Sequence, residues 1–395
     1  MFPAPPEAPG GSLPPLSADE QAHGERLLAH LKREIAEAGG WIAFADYMNA
    51  VLYAPGLGYY AAGARKFGAE GDFVTAPELT PLFGRALANQ LAPLIAAIPR
   101  AELIELGPGS GRLCADVLSA LAERNALPAR YALLEVSPEL RERQREHLAA
   151  AVRDHLSRVE WIDRIPARWR GAVLANEVLD ALPVHLIARQ GGQWLERGVV
   201  VDPAGRLALA DRALASPGLR ERAQARFPPT GDYLSELSPA AEALLASIAQ
   251  RCEQGAILLI DYGFPAAEYY HPQRSQGTLM AHYRHRALAD PLFRPGLVDL
   301  TAHVDFSAMA RAAVASGMTV AGFATQAQFL VNCGLLDALA RCGDPQSAAY
   351  LRAASAVHQL TSPAEMGELI KVLALVRGID AELTGFRDGD RTHRL

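Results

Sequence analysis

An acid and three alternating glycines stand in the stretch ELGPGSG: Glu105, then Gly107, Gly109 and Gly111. An apolar run precedes them and a helix-like pattern follows, so the loop tops a strand and opens a helix. A dinucleotide fingerprint would need GxGxxG, but its third glycine falls on Arg112 counted from Gly107 and on Cys114 counted from Gly109. A P-loop would need Lys-Ser/Thr after its last glycine, where this chain has Arg112-Leu113. Glycines let main chain turn sharply and approach a ligand closely. An acid at such a strand tip suits a cationic group, such as the amino group of a methionine moiety. In LLEVSPELRERQ the second strand ends at Glu135, about one βα unit further on, where a carboxylate accepts hydrogen bonds from both ribose hydroxyls. Together these features describe S-adenosylmethionine as cofactor. Asp163, just past the third strand, either receives the adenine amino group or caps a helix.

The elements that must hold these residues read as an α/β fold. Expected strands are 103–106, 131–135, 159–162, 172–175, 257–260 and 369–376. Several are uniformly apolar, as in strands covered on both faces, and their alternation with helical stretches predicts a doubly wound parallel sheet. Ahead of it, helices are expected over 25–38, stopped by Gly39-Gly40, and over 44–53. A glycine-rich segment spans 56–81. Residues 184–202 form a hairpin around Gly191-Gly192, within an insertion of about 184–250 after the fourth strand. Residues 263–300, rich in proline and histidine, read as a second insertion after the fifth. The division expected is a mobile tail over 1–20, a helical N-terminal region with a lid-like loop over 21–85, a core over 86–380, and a solvated tail over 381–395.

The chain has 395 residues, is half hydrophobic and carries a net charge of -6. It has no broad basic footprint, which argues against nucleic acid as a partner. Its four cysteines, Cys114, Cys252, Cys333 and Cys342, form no CxxC pair, so neither a disulfide framework nor a zinc site is expected. The first 20 residues contain no lysine or arginine and read as neither a secretory signal nor a transit peptide. The most apolar region, 82–98, is broken by Arg85, Asn89, Gln90 and Pro93, too early for a membrane span. A cytoplasmic protein is the expectation.

The segments GYY…GDFVTAPELTPLFGRALA, ELGPGSGRL, LLEVSPELRERQ, ANEVLDALPVH, LLIDYGF, HRALADPLFRPGLVDLTAHVDFSAM, TQAQFLVNCG and MGELIKVLAL resemble, in order and spacing, those of the MidA family. These are methyltransferases related to the mitochondrial respiratory complex I assembly-factor arginine methyltransferase. Arg112 departs from the family pattern, where a small polar residue is expected; its side chain is read as pointing away on the loop's far side. Asn89-Gln90 stand where relatives carry a bulky aromatic. The resemblance implies a class I (Rossmann-like) methyltransferase fold, S-adenosylmethionine as donor, and an arginine of a protein, in the mitochondrial relative a respiratory-complex subunit, as acceptor. It also places the loop of Gly68, Gly71, Asp72, Phe73, Thr75 and Glu78 near the donor pocket as a lid, with Phe73 either covering adenine or filling core.

A guanidinium is a poor nucleophile because it stays protonated and its lone pairs are delocalised. An enzyme that methylates it needs carboxylates in a fork to fix its plane. At the tip of the fourth strand, ANEVLDALP supplies Asn176, Glu177 and Asp180. One helical turn would bring Glu177 and Asp180 to one side as a clamp, with Asn176 orienting donor or acceptor; the competing reading makes Asn176 a helix cap and Asp180 a solvated first-turn acid. Asp261, ending the fifth strand, either lines the acceptor side or caps. His303 either takes a released proton or is held by Asp299 and Asp305. His271, His282 and His285 lack metal-ligand spacing, and no metal is expected. The alternatives to a protein arginine methyltransferase are the same fold acting on a small molecule or another nitrogen, and a non-catalytic assembly factor.

Overall fold

A computed structural model describes residues 15–61, 75–284 and 286–395. The chain divides into two compact units, one built from residues 74–179, 242–265 and 304–395, the other from 1–73, 180–241 and 266–303.

The first unit holds the sheet. Its strands are β1 (Glu102–Leu106), β2 (Arg130–Leu134), β3 (Val159–Ile162), β4 (Trp169–Asn176), β5 (Cys252–Phe264), β6 (Thr319–Thr325) and β7 (Ile370–Arg377). Their spatial order is β6-β7-β5-β4-β1-β2-β3, and the two-residue strand Val304–Asp305 pairs with the end of β5. Strands β1 to β5 run parallel, while β7 is antiparallel to both β5 and β6. This is the doubly wound sheet expected. Its centre is dry because the strands are apolar on both faces: Ala172, Val173, Leu174 and Ala175 of β4 are all buried. The chain winds outward through β1, β2 and β3, then returns to β4 and β5. Strand order therefore reverses between β1 and β4, where ligands of open α/β sheets bind.

Two expectations about the termini are corrected. Residues 18–20, expected in a mobile tail, open the helix Ala18–Glu37. Ser17 caps it: the Glu20 amide donates to Ser17 Oγ (3.2 Å), and the Ser17 amide donates to Glu20 Oε2 (2.7 Å). Such a reciprocal box satisfies two otherwise orphaned donors. Residues 381–395, expected as a solvated tail, cover the outer edge of β6. The Phe323 amide donates to Asp390 Oδ1 (2.8 Å), the Arg391 amide donates to Phe323 O (2.6 Å), and buried Phe386 packs on Phe329. An edge strand's free backbone groups are a liability that such a strap removes.

The second unit combines the N-terminal helices with both insertions. Strand Gln193–Val201 pairs antiparallel with Ile42–Ala43, His185–Gln190 and Leu207–Ala213, and Tyr233–Leu237 flanks His185–Gln190. Gly191 and Gly192, at φ 54° and 82°, make the tight turn read from the sequence. Leu27, Leu31, Ile35, Phe44 and Met48 share one core with Val184, Val199, Tyr283 and Leu300. The helix Phe44–Tyr53 has the bounds its apolar spacing predicts. Among the described residues no helix is long and apolar enough to cross a membrane.

Candidate active site

The glycine loop leaves β1 with φ of 59°, 54° and 84° at Gly107, Gly109 and Gly111, a region most side chains avoid. A side chain at Gly107 would also stand 3.1 Å from Val178 Cγ2. Gly111 is the N-cap of the helix Arg112–Glu123. The loop thus presents bare main chain at the switch point between β1 and β4. Glu105 lies beneath it. Its carboxylate is 2% exposed and accepts the Tyr131 hydroxyl at 2.7 Å, and burial pushes it up to about 7. The reading of Glu105 as a contact for the donor's amino group is therefore corrected: its strand register turns it into the core, where it supports β1 against β2.

Glu135 sits just past β2, buried, with Oε1 accepting the Ser137 amide at 2.8 Å. Loss of hydration raises its pKa, partly offset by that amide and by Gln144. Gln144, fully buried on the helix Pro138–Ala151, links the glycine loop to Glu135. Its Nε2 donates to Gly109 O (2.8 Å) and Glu135 Oε2 (3.2 Å), and its Oε1 accepts Trp161 Nε1 (2.8 Å). Sequence reading missed Gln144 because a glutamine among charged helix residues looks like surface. Val136, next to Glu135, is 67% exposed. Asp163 is 85% exposed and pairs with Arg141 at 2.5 Å. Arg141 also donates to Glu135 O (2.7 Å) and Ile162 O (3.0 Å), so Arg141 joins the ends of β2 and β3 and Asp163 pairs with it.

The tip of β4 turns without forming a helix. Glu177 has φ 52°, an uncommon conformation for a non-glycine residue that persists only where its surroundings hold it. Here its amide donates to Ile260 O at 2.8 Å. Its Oε1 accepts the Ala76 amide (3.3 Å) and Asn176 Nδ2 (3.2 Å). Burial, and then the negative charge of Asp261, raise Glu177 to about 7. Asn176 Oδ1 is buried with no partner among the described residues, a condition that buried polar atoms rarely tolerate without a ligand or an ordered water.

Two acid assignments change with this geometry. Asp261 is buried, and Oδ2 accepts the amides of Val178 (3.1 Å) and Leu179 (2.8 Å) while Oδ1 accepts that of Tyr262 (2.8 Å). It is a positioning residue for the β4 turn rather than a group facing the acceptor. The helical turn that would have paired Glu177 with Asp180 is absent, and Asp180 belongs to the second unit. There it is buried and its carbonyl accepts the Ala302 amide (2.9 Å); burial first, then the charge of Asp299 and least that of Asp180, raise the Tyr60 phenol. Tyr60 donates to Asp299 Oδ1 at 3.0 Å.

Thr75 is the N-cap of the one-turn helix Ala76–Leu79. Asp72, Phe73, Gly68 and Gly71 lie outside the described residues, as does His285. Arg112, read as pointing away on the loop's far side, is half exposed and pairs with Glu78 at 3.2 Å. Asn89 donates to Cys333 O (2.7 Å), and Gln90 Oε1 accepts the Gly385 amide (2.8 Å), so this polar pair ties down a helix end and the C-terminal strap. In the second unit His303 donates its amide to Thr278 Oγ1 (3.0 Å), and His282 meets Thr301 Oγ1 (3.2 Å). In the first, Asp305 caps the helix Phe306–Ala315.

Glycine-lined main chain, an acid one strand over and an unpartnered amide oxygen fit a nucleoside donor, and known proteins agree. The model of a family of S-adenosyl-L-methionine-dependent methyltransferases matches residues 86–324. Protein arginine methyltransferase NDUFAF7, mitochondrial, of Mus musculus is 32% identical over 385 residues, spanning 89% of this chain and 84% of that protein. Its Drosophila melanogaster homologue is 31% identical, spanning 92% and 87%. The crystal structure of a Burkholderia thailandensis superfamily member and methyl transferase candidate, bound to S-adenosylhomocysteine, is 49% identical with a TM-score of 0.93, covering 97% of this chain and all of that one. This chain belongs to the MidA family of S-adenosyl-L-methionine-dependent methyltransferases.

Proposed function

We propose that this protein methylates an arginine side chain of a protein, with Glu177 as the acid that receives the guanidinium. S-adenosylmethionine supplies an electrophilic methyl on a sulfonium. The glycine loop and Glu135, tied together by Gln144, hold the amino acid and ribose ends of that donor. Asn176 offers its unpartnered Oδ1 to an N–H of donor or acceptor.

The observation that carries the acceptor reading is the state of Glu177. Among the described residues both of its amide contacts fall on Oε1, which leaves Oε2 for a ligand's N–H. A carboxyl raised to about 7 beside Asp261 gains most from an incoming cation, because opposite charge nearby favours the ionised form. It then fixes the guanidinium plane, and positioning of this kind supplies much of a displacement's acceleration. Relatives named protein arginine methyltransferases support the same acceptor, and a respiratory-complex subunit is the protein class the family resemblance suggests.

The test is incubation of the full chain with radiolabelled donor and cell lysate. Label in a protein band that hydrolyses to methylarginine supports the reading; label confined to extractable metabolites sinks it. Glu177→Gln is expected to abolish transfer while leaving S-adenosylhomocysteine affinity within about three-fold of wild type, since it removes an acceptor-side contact only.

A further inference from the structure

The one-turn helix Ala76–Leu79 touches both halves of the site. At its start, the Ala76 amide donates to Glu177 Oε1 (3.3 Å). Near its end, Glu78 accepts Ser110 Oγ on Oε1 and pairs through Oε2 with Arg112 Nε (3.2 Å). Arg112 also reaches Glu78 O, at 3.5 Å. Ser110 lies between Gly109 and Gly111, and Arg112 is the first residue of the helix that the loop opens. Thr80 then caps the helix Pro81–Ala97 by accepting the Leu82 amide (3.3 Å), so the short turn is anchored at its far end as well. Glu78 is only 9% exposed while Arg112 is 52% exposed. A surface ion pair contributes little, but here the carboxylate is the shielded partner and its second oxygen is on the loop itself.

We propose that Glu78 is a positioning residue for the donor, resting on the donor reading above: its carboxylate holds the glycine loop against the same short turn that holds Glu177. A loop with three left-handed glycines has weak conformational preferences of its own, because glycine enters those regions without penalty and as easily leaves them. Side-chain pins from outside the loop must select one shape. Gln144 supplies one through Gly109 O, and Glu78 supplies the other through Ser110 and Arg112. Arg112, the residue that departs from the family pattern, thereby acquires a role: it adds charge to a contact that the Ser110 hydroxyl alone would make.

The experiment measures S-adenosylhomocysteine binding by calorimetry on the full chain. Glu78→Gln, which keeps the size but removes the ion pair, is expected to weaken binding about three- to ten-fold, and Glu78→Ala by more than about ten-fold. Arg112→Leu is expected to match Glu78→Gln, and the double variant Glu78→Gln/Arg112→Leu to be no weaker than either single, because coupled partners are non-additive. Glu123→Gln, which breaks the neighbouring Arg85–Glu123 pair, is expected to leave binding unchanged. A merely structural role would instead lower the melting temperature of Glu78→Gln and leave its affinity at the wild-type value, which overturns the proposal. Additive losses in the double variant overturn it too. A wild-type chain that binds no S-adenosylhomocysteine sinks the donor reading and this inference with it; a wild-type chain that binds while Glu78→Ala binds equally well sinks this inference alone.

Discussion

The Oδ2 atom of Asp261 accepts the amide of Leu179 at 2.8 Å, across the gap between β5 and the turn that leaves β4. The same oxygen accepts the Val178 amide, so one buried carboxylate holds two consecutive main-chain groups just after Glu177. This explains how Glu177 keeps a left-handed backbone. It also separates two acids that look alike in sequence: Asp261 builds the turn, and Glu177 is held by the turn and bonded to Ala76 and Asn176.

Replacing Asp261 with asparagine leaves one oxygen for three amides. Val178, Leu179 and Tyr262 then cannot all be satisfied, and a buried unsatisfied group costs about 1–3 kcal/mol. Turnover is expected to fall about a hundred-fold through misplacement of Glu177, while S-adenosylhomocysteine affinity changes little. Parallel denaturant melts, turnover assays and calorimetry check this. Equal losses in binding and turnover would show that Asp261 is not specific to the acceptor side.

Gln144→Leu strips partners from Gly109 O, Glu135 Oε2 and Trp161 Nε1 at once. Destabilisation of about 2–4 kcal/mol is expected, with a weakened donor site. Addition of S-adenosylhomocysteine should raise the melting temperature of this variant less than that of wild type. An unchanged ligand-induced shift would show that Gln144 does not connect the loop to Glu135.

Glu105 and Glu177 are both raised to about 7 from 4.5. Between those values the folded carboxyls keep protons that the unfolded chain has released. Their contribution to stability is thus fully present below about 4.5 and is lost as pH rises through about 7. Glu105→Gln keeps an acceptor for the Tyr131 hydroxyl and cannot ionise. It is expected to match wild type at pH 5 and to exceed it at pH 8, by at most about 3 kcal/mol. Urea melts at the two pH values decide the matter, and a variant weaker than wild type at pH 8 refutes the sign.

If the ionised form of Glu177 receives the guanidinium as proposed, kcat/KM for transfer is expected to rise with pH through about 7 in the free enzyme. A profile flat between pH 6 and 8 would remove Glu177 from that role.

Truncation after residue 380 removes Phe386 from its contact with Phe329 and both main-chain bonds to Phe323. It also frees Gln90, whose Oε1 loses the Gly385 amide. A lower melting temperature and a rise in aggregation through the bared edge of β6 are expected. A truncated chain as stable and monodisperse as the full one would restore the view of these residues as a solvated tail.

Strands β1 to β5 and β7 were legible in the sequence because short apolar runs alternate with helical stretches, and several, such as β4, are uniformly apolar as strands covered on both faces are. The glycine loop was legible because three glycines at alternate positions have few other uses, and the hairpin at Gly191-Gly192 because its turn needs two left-handed residues. Local pattern also placed Glu135 and Glu177 at strand tips. It could not decide which way an acid faces. Glu105 turns under β2 to Tyr131, and Asp261 to amides 82 and 83 residues away. The non-helical turn at Glu177 followed no propensity, since a left-handed glutamate exists only where distant groups hold it. Gln144, Glu78 and the C-terminal strap were likewise invisible, because polar residues on helices and tails look solvated until the fold gives them partners. Sequence alone determined six of the sheet's strands, its glycine loop and the family. Tertiary structure decided which carboxylates are turned into the scaffold and bonded there, because burial and hydrogen-bond partners arise only when segments far apart in the chain come together.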